Sequence, residues 1–231
     1  MTQGVDQSGL KGVRFSSRHV LLAALVLVGL GLGWQFGPRL AALVTPVENQ
    51  LPADLNAVDV GFAQSMMLHH AAAIQMAMAV KAADDPHLRG IAQNIVLNQT
   101  RESGVLEGWL TAWKQPVMAI GPQMAWVEQA RDVQHVDDQL YASQCKDSGG
   151  KMAGMPSARD IEALAALTGV AQQRRFYELM IAHHSAAIPM GWFAYRNGQS
   201  SLVRAMARSM IRDQAFEIAW MQTRLQALGA P

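Results

Sequence analysis

Downstream of residue 54, apolar and polar positions alternate with the three-to-four-residue spacing of helices that bury one stripe and show the other to water. A first helix is expected from Asp54 or Asn56, where an Asx side chain can cap free amides, to about Val80. Asp84-Asp85-Pro86 breaks it, because proline restricts its predecessor and cannot continue the ladder. A second helix runs from about His87 to Trp113 and stops before Pro116; Gly121-Pro122 marks a turn. A more polar helical segment from about Trp126 to Ser143 ends at Asp147-Ser-Gly-Gly150. Ser157 caps a short helix to Leu167, which Thr168-Gly169 ends. A long helix from about Gln172 to Arg196 and a last one from Ser200 or Ser201 to Leu228 flank the turn Asn197-Gly198. No stretch of useful length alternates as a strand does, so the chain reads as all-α.

The N-terminal pattern is different. Val20 to Phe36 is an uncharged run whose one polar side chain, Gln35, stands near its end, preceded by Lys11, Arg14 and Arg18 and followed by Arg39. A membrane-spanning helix needs roughly 17–25 apolar residues, and Trp34 suits an interfacial position. The expectation is a single transmembrane anchor over 20–38, with 1–19 in the cytoplasm, a tether over 39–53, and the remainder outside the cytoplasm at the cell membrane. A cleaved signal peptide and secretion is the rival reading.

The two long-helix segments are nearly one sentence written twice. Phe62, Met66, His69, His70, Ala73, Ile74 and Met76 return in order and spacing as Phe176, Met180, His183, His184, Ala187, Ile188 and Met190. The helix after each copy also repeats: Ala92, Ile95, Gln99, Glu102, Leu106 and Leu110 against Ala207, Met210, Gln214, Glu217, Met221 and Leu225. The exported part therefore divides into a helical hairpin over 54–126, a connector over 127–150 and a second hairpin over 151–231. Four amphipathic helices in two hairpins bury their stripes as a four-helix bundle.

Composition sharpens the picture in three places. Half the residues are hydrophobic, with Ala, Leu and Met abundant and aromatics sparse, which favours helices. The net charge of +1 carries no block of like charges, so no nucleic-acid footprint is visible. Cys145 is the only cysteine, which excludes an internal disulfide; it reads as an unpaired thiol in a polar connector.

The motif holds four of the seven histidines, and it places them on a core-facing arc with methionines. Met66 and His70 are one turn apart, as are Met180 and His184, so each pair can grip one ion from one helix. Imidazole and thioether together suit a soft or borderline metal. A carboxylate-bridged di-iron bundle expects Glu three residues before His; Met66 and Met180 stand there instead, which points to copper as Cu(I) or Cu(II). Gln99, Glu102, Gln214, Glu217 and Met221 are candidate partners of those ligands on the companion helices. Core histidines satisfied by Gln and Glu, with methionine as packing, remain the metal-free alternative. His87 and His135 read as solvated, and Met152 and Met155 as packing or ancillary soft ligands. A nucleophile–base pair is not evident, and Glu102 with Glu217 is too little for an acid/base assignment.

Phe-x-x-x-Met-x-x-His-His-x-x-Ala-Ile-x-Met, followed by Gln-x-x-Glu on the next helix, resembles the bacterial family called domain of unknown function 305. Gly154-Met155-Pro-Ser157 ahead of the second copy is similar to that family too. The resemblance covers about Asp54 to Leu228. It implies a ferritin-like four-helix fold, an exported or membrane-anchored location and, for some members, copper binding with a role in copper tolerance. Carried over by position, it implies Met66, His69, His70 and Met76, and Met180, His183, His184 and Met190, as metal ligands. The chain departs at Pro189 and Gly191, where the first copy has Gln75 and Ala77, and at Leu106 opposite Met221; Pro189 is expected to disturb its helix. The reading is a membrane-anchored copper-binding bundle serving buffering, tolerance or sensing. A ferritin-like metal-dependent oxidase and a metal-free interaction scaffold are the alternatives.

Overall fold

The structure is a computed structural model that describes residues 54–229. These residues form seven helices and no strand: α1 Ala57–Ala79, α2 Pro86–Ala112, α3 Ala125–Glu128, α4 Val136–Asp147, α5 Ala158–Ala166, α6 Gly169–Asn197 and α7 Ser201–Ala227. The expected membrane span over 20–38 and its flanks lie outside the described residues. No described helix is long and apolar enough to cross a membrane.

Local chemistry starts the helices where the sequence places them. Asn56 and Asp59 close a capping box on α1, Asp85 accepts from the Leu88 amide with Pro86 at the first position of α2, and Ser157 and Asp160 form a second capping box on α5. Two boundaries differ from expectation. The polar segment over 126–143 is two helices, α3 and α4, parted by 129–135, where Asp132 has a positive φ of 55°. Gly169 starts α6 rather than ending α5 and adopts a φ of 57°. Pro189 lies within α6, which continues to Asn197.

α1 packs along α2, α6 along α7, and α1 against α6. α1 and α6 run antiparallel: Asn56 at the start of α1 donates its side-chain amide to the Asn197 carbonyl at the end of α6 (2.8 Å). The buried Asp59 carboxylate accepts from the amides of Asn56, Gln199 and Ser200 at 2.8, 3.1 and 3.0 Å, clamping the α6–α7 turn onto α1. Desolvation raises its pKa, against the lowering effect of those amides. Asp138 on α4 is likewise buried and holds Arg196 and Asn197 at the end of α6.

The apolar core has two parts. One gathers Phe62, Met66, Leu106, Met190, Phe193 and Met210; the other gathers Ala73, Met76, Ile95, Phe176, Met180 and Met221. Their membership follows from the antiparallel crossing, which sets the early half of one motif beside the late half of the other. α3 covers the first part: Trp126 donates its indole N–H to Ser65 Oγ at 2.8 Å and lies flat over Gly61, where an added Cβ would come within 2.1 Å of the Trp126 Cβ. Gly61→Ala should therefore cost roughly 2–3 kcal/mol of overpacking. The check is a urea melt beside Gly104→Ala, whose Cβ meets nothing within 4 Å.

Candidate metal centre

Consecutive residues on a helix point about 100° apart, so a His-His pair cannot aim both rings at one neighbour. The structure resolves this in the same way in both copies. His69 and His183 meet across α1 and α6 with rings stacked 3.6 Å apart at 15°. Each Nε2 lies 3.2 Å from the other residue's backbone carbonyl oxygen. His70 and His184 turn instead to the companion helix of their own hairpin, reaching Glu102 on α2 (2.9 Å) and Glu217 on α7 (2.6 Å) through Nε2. Ring centres 6.3 Å apart from His70 to His69, and 6.0 Å apart from His183 to His184, complete a row of four imidazoles with a carboxylate at either end. All four rings are fully buried; Glu102 and Glu217 keep 13% and 15% of their side chains exposed, so the row meets solvent only through its ends.

Burial decides the protonation of the inner pair. His69 is held far below the usual imidazole range by desolvation and then by the neighbouring rings of His183, His70 and His184. His183 is lowered to about 4, chiefly by desolvation, while the Gly154 carbonyl pulls the other way. Neutral imidazole is the form a metal binds, with one N–H and one free lone pair. His69 donates Nε2–H to the His183 carbonyl, which leaves its Nδ1 as the lone-pair nitrogen. His183 faces carbonyls at both nitrogens, Gly154 at 2.9 Å from Nδ1 and His69 at 3.2 Å from Nε2, and one proton serves the shorter contact. Toward Glu102 and Glu217 the N–H belongs on Nε2, and Nδ1 of His70 and His184 faces no partner among the described residues. His70 stands at ion-pair distance from Glu102 but off the angle of a hydrogen bond, whereas His184 donates to Glu217 with good geometry.

Among the described residues, the Nδ1 atoms of His69, His70 and His184 are buried without a partner, as are Oε1 of Gln99 and Gln214. Buried polar atoms are rarely left so, and three unpartnered imidazole nitrogens in one row fit a bound cation. The tautomer imposed by a carboxylate on the far nitrogen is the one found behind metal-bound histidines. Histidines and carboxylates do not complete a ligand set: no three His, Cys, Asp or Glu side chains among the described residues converge as one. Completion requires thioethers, and both parts of the core contain them. Met66 with Met190, and Met76 with Met180, belong to the two core parts built around the α1–α6 crossing, and Met221 joins the second pair where Leu106 adjoins the first. Such a donor set fits a soft cation.

The predicted residues thus fall into two roles. His69 and His183 are joined directly across the halves; His70 with Glu102, and His184 with Glu217, stay within their hairpins. Gln99 and Gln214 are buried as expected for inward-facing groups. Met152 and Met155 pack with the first part of the core. His87 and His135 are exposed, and His135 caps α4. Cys145 is a free thiol, as expected; its helix is polar, but its side chain is buried in the first part of the core, and burial raises its pKa. Gly154, read in the sequence only as part of the string Gly154-Met155-Pro-Ser157, proves to touch the row. Its carbonyl anchors the His183 ring, and its φ of 71° lets the loop lie against α6, where a Cβ would stand 2.5 Å from the Ala186 Cβ.

Comparison with known proteins settles the lineage. A family model described as Domain of unknown function (DUF305) matches residues 59–225, both hairpins included. The chain belongs to this family. A DUF305 protein from Streptomyces coelicolor is 27% identical, over 78% of this chain and 97% of that one, with a TM-score of 0.64. A DUF305 fragment from Deinococcus radiodurans is 25% identical over 75% and 98%, with a TM-score of 0.58. CopM in its Cu(I)-bound form is 26% identical over 74% and 98%, with a TM-score of 0.54; it is also solved in Cu(II)-bound and Ag-bound forms. No curated protein matches this DUF305 chain.

Proposed function

We propose that this DUF305 protein binds copper inside a ferritin-like four-helix bundle formed by α1, α2, α6 and α7, and that it buffers or senses copper, or confers tolerance to it, outside the cytoplasm. The observation that carries the reading is the set of unpartnered Nδ1 atoms on buried histidines, two of them backed by carboxylates, in a bundle whose two core parts each hold methionines of the motif. The copper- and silver-bound forms of CopM support it from a second direction. The proposed ligands are Met66, His69, His70, Met76, Met180, His183, His184 and Met190, with Glu102 and Glu217 fixing tautomers. The two repeats over 54–126 and 151–231 each contribute half of the ligands and meet at His69 and His183. The basic-flanked apolar run over 20–38 would hold the bundle at the membrane.

The test is an anaerobic Cu(I) titration of the full-length chain beside Met66→Leu/Met190→Leu and Met76→Leu/Met180→Leu. Leucine nearly conserves methionine volume, so apo stability should shift by under about 1.5 kcal/mol per replacement. Each double variant should lose copper, and copper at a hundredfold excess over its Kd should stabilise the wild type by about 2.7 kcal/mol. An unchanged wild-type melting temperature with no retained copper would favour the scaffold reading, in which the carbonyl and carboxylate contacts of the row are its whole purpose.

A further inference from the structure

A fully buried row raises the question of how an ion reaches it, and the surface answers at one end. α2 packs on α1 and α7 on α6, and neither packs extensively on the other. Between them lies a groove of about 380 Å³ whose lining includes Asn94 and Asn98 from α2, and Arg212, Asp213, Phe216 and Glu217 from α7. Glu217 belongs to both places: it lines the groove and accepts from His184 at 2.6 Å. Glu102, the carboxylate at the opposite end of the row, is not among the groove's lining residues. Arg212 is tied to Asp213 (3.1 Å), which leaves Glu217, held from within by His184, as the groove's remaining carboxylate, beside two side-chain amides. One helical turn before Glu217, Gln214 is buried with its side-chain oxygen unpartnered among the described residues.

We infer that the α2–α7 groove is the entry route for a soft monovalent cation, with Glu217 as its receiving residue, so that the row fills from the His184 end. This rests on the metal-binding reading above. A carboxylate at the inner end of a cleft draws cations toward it. Gln214 then offers an uncharged oxygen further in, and the free Nδ1 of His184 with the thioethers beyond holds the ion more tightly than oxygen does. No bond is made or broken beyond coordination, and no electron moves.

Ag(I), which stays monovalent, is the probe. Full-length chain is mixed with silver nitrate in a stopped-flow instrument, tryptophan fluorescence reports arrival, and silver content is measured after desalting. Trp220, three residues past Glu217 on α7, is the nearest reporter in sequence. Asn94→Lys/Asn98→Lys puts two positive charges on exposed groove positions that make no contact with the imidazole row; Ser143→Lys/Gln144→Lys puts them on α4, which packs on α3 and α6. The groove variant should load about tenfold more slowly at low salt, converge on the wild type at high salt, and finish with the wild-type silver content. Equal rates in groove and control variants would overturn the route. A lower final silver content in the groove variant would also overturn it, by making the groove a ligand site. A wild type that takes up no silver would refute the metal-binding reading itself, a result distinguishable from either.

Discussion

Lowering the pH of the metal-free protein from 7 to 4 should remove roughly 3 kcal/mol of stability through His183 alone. The unfolded ring takes up a proton near pH 6.5, whereas the folded ring stays neutral until about pH 4. Between those values the unfolded state binds more protons, so stability is flat above pH 6.5 and falls through the window below it. His69, displaced in the same direction by the same burial, adds to the loss. Asp59 acts with the opposite sign: its carboxyl is raised in the fold, so the folded state takes up a proton first and the loss is partly offset near the bottom of the range. Domains of this size are stable by only about 5–15 kcal/mol, so the effect is large. Urea midpoints at pH 7.5, 6, 5 and 4 measure it, and His69→Gln/His183→Gln should flatten the slope while lowering the whole curve. A midpoint constant from pH 7 to 4.5 in the wild type would mean that the stacked rings are already protonated in the fold.

Gly154→Ala should be the most damaging single methyl addition near the row. The left-handed backbone costs a non-glycine residue about 1–2 kcal/mol, and forcing a Cβ to 2.5 Å from the Ala186 Cβ and 3.0 Å from the Ala182 carbonyl adds about 1–3 more. A loss of about 3 kcal/mol is the expected sum. Gly149→Ala isolates the backbone share, because Gly149 has a φ of 67° with nothing within 4 Å of an added Cβ. It should lose only about 1 kcal/mol. Relief of the clash by moving the loop would take the Gly154 carbonyl off His183 Nδ1, so the imidazole proton resonance of His183 should move in Gly154→Ala and stay put in Gly149→Ala. Equal stability losses in the two variants would show that the loop does not press on α6.

Much of the protein was legible in the chain because its signals are local. Asn56 with Asp59, Asp85 before Pro86, and Ser157 with Asp160 mark helix starts by side chains that reach only three residues. The duplication was legible as well, since His69-His70 and His183-His184 carry the same neighbours. Where local chemistry was silent the reading slipped. Residues 129–135 contain neither glycine nor proline, yet the chain turns there, with Asp132 left-handed, so that α3 can lay Trp126 on Gly61 while α4 brings Asp138 to Arg196. Cys145 reads as an unpaired thiol in a polar connector because its neighbours in sequence are polar; its neighbours in space are core residues.

The candidate site divides along the same line. Composition and spacing identified the imidazoles, thioethers and carboxylates, because a helix fixes which residues share a face. They left open whether Met66 and His70 act as a pair on one helix or join ligands from the other half. The antiparallel crossing of α1 and α6 brings the halves together, for it stacks His69 on His183 and puts Met66 in one core part with Met190 and Met76 in the other with Met180. Helical periodicity, caps and repetition are properties of residues a few positions apart, so the sequence alone determined an all-α chain with two matching donor faces. The four-ring row, its unpartnered nitrogens and the groove ending on Glu217 join residues more than a hundred positions apart, and only packing brings such residues into contact.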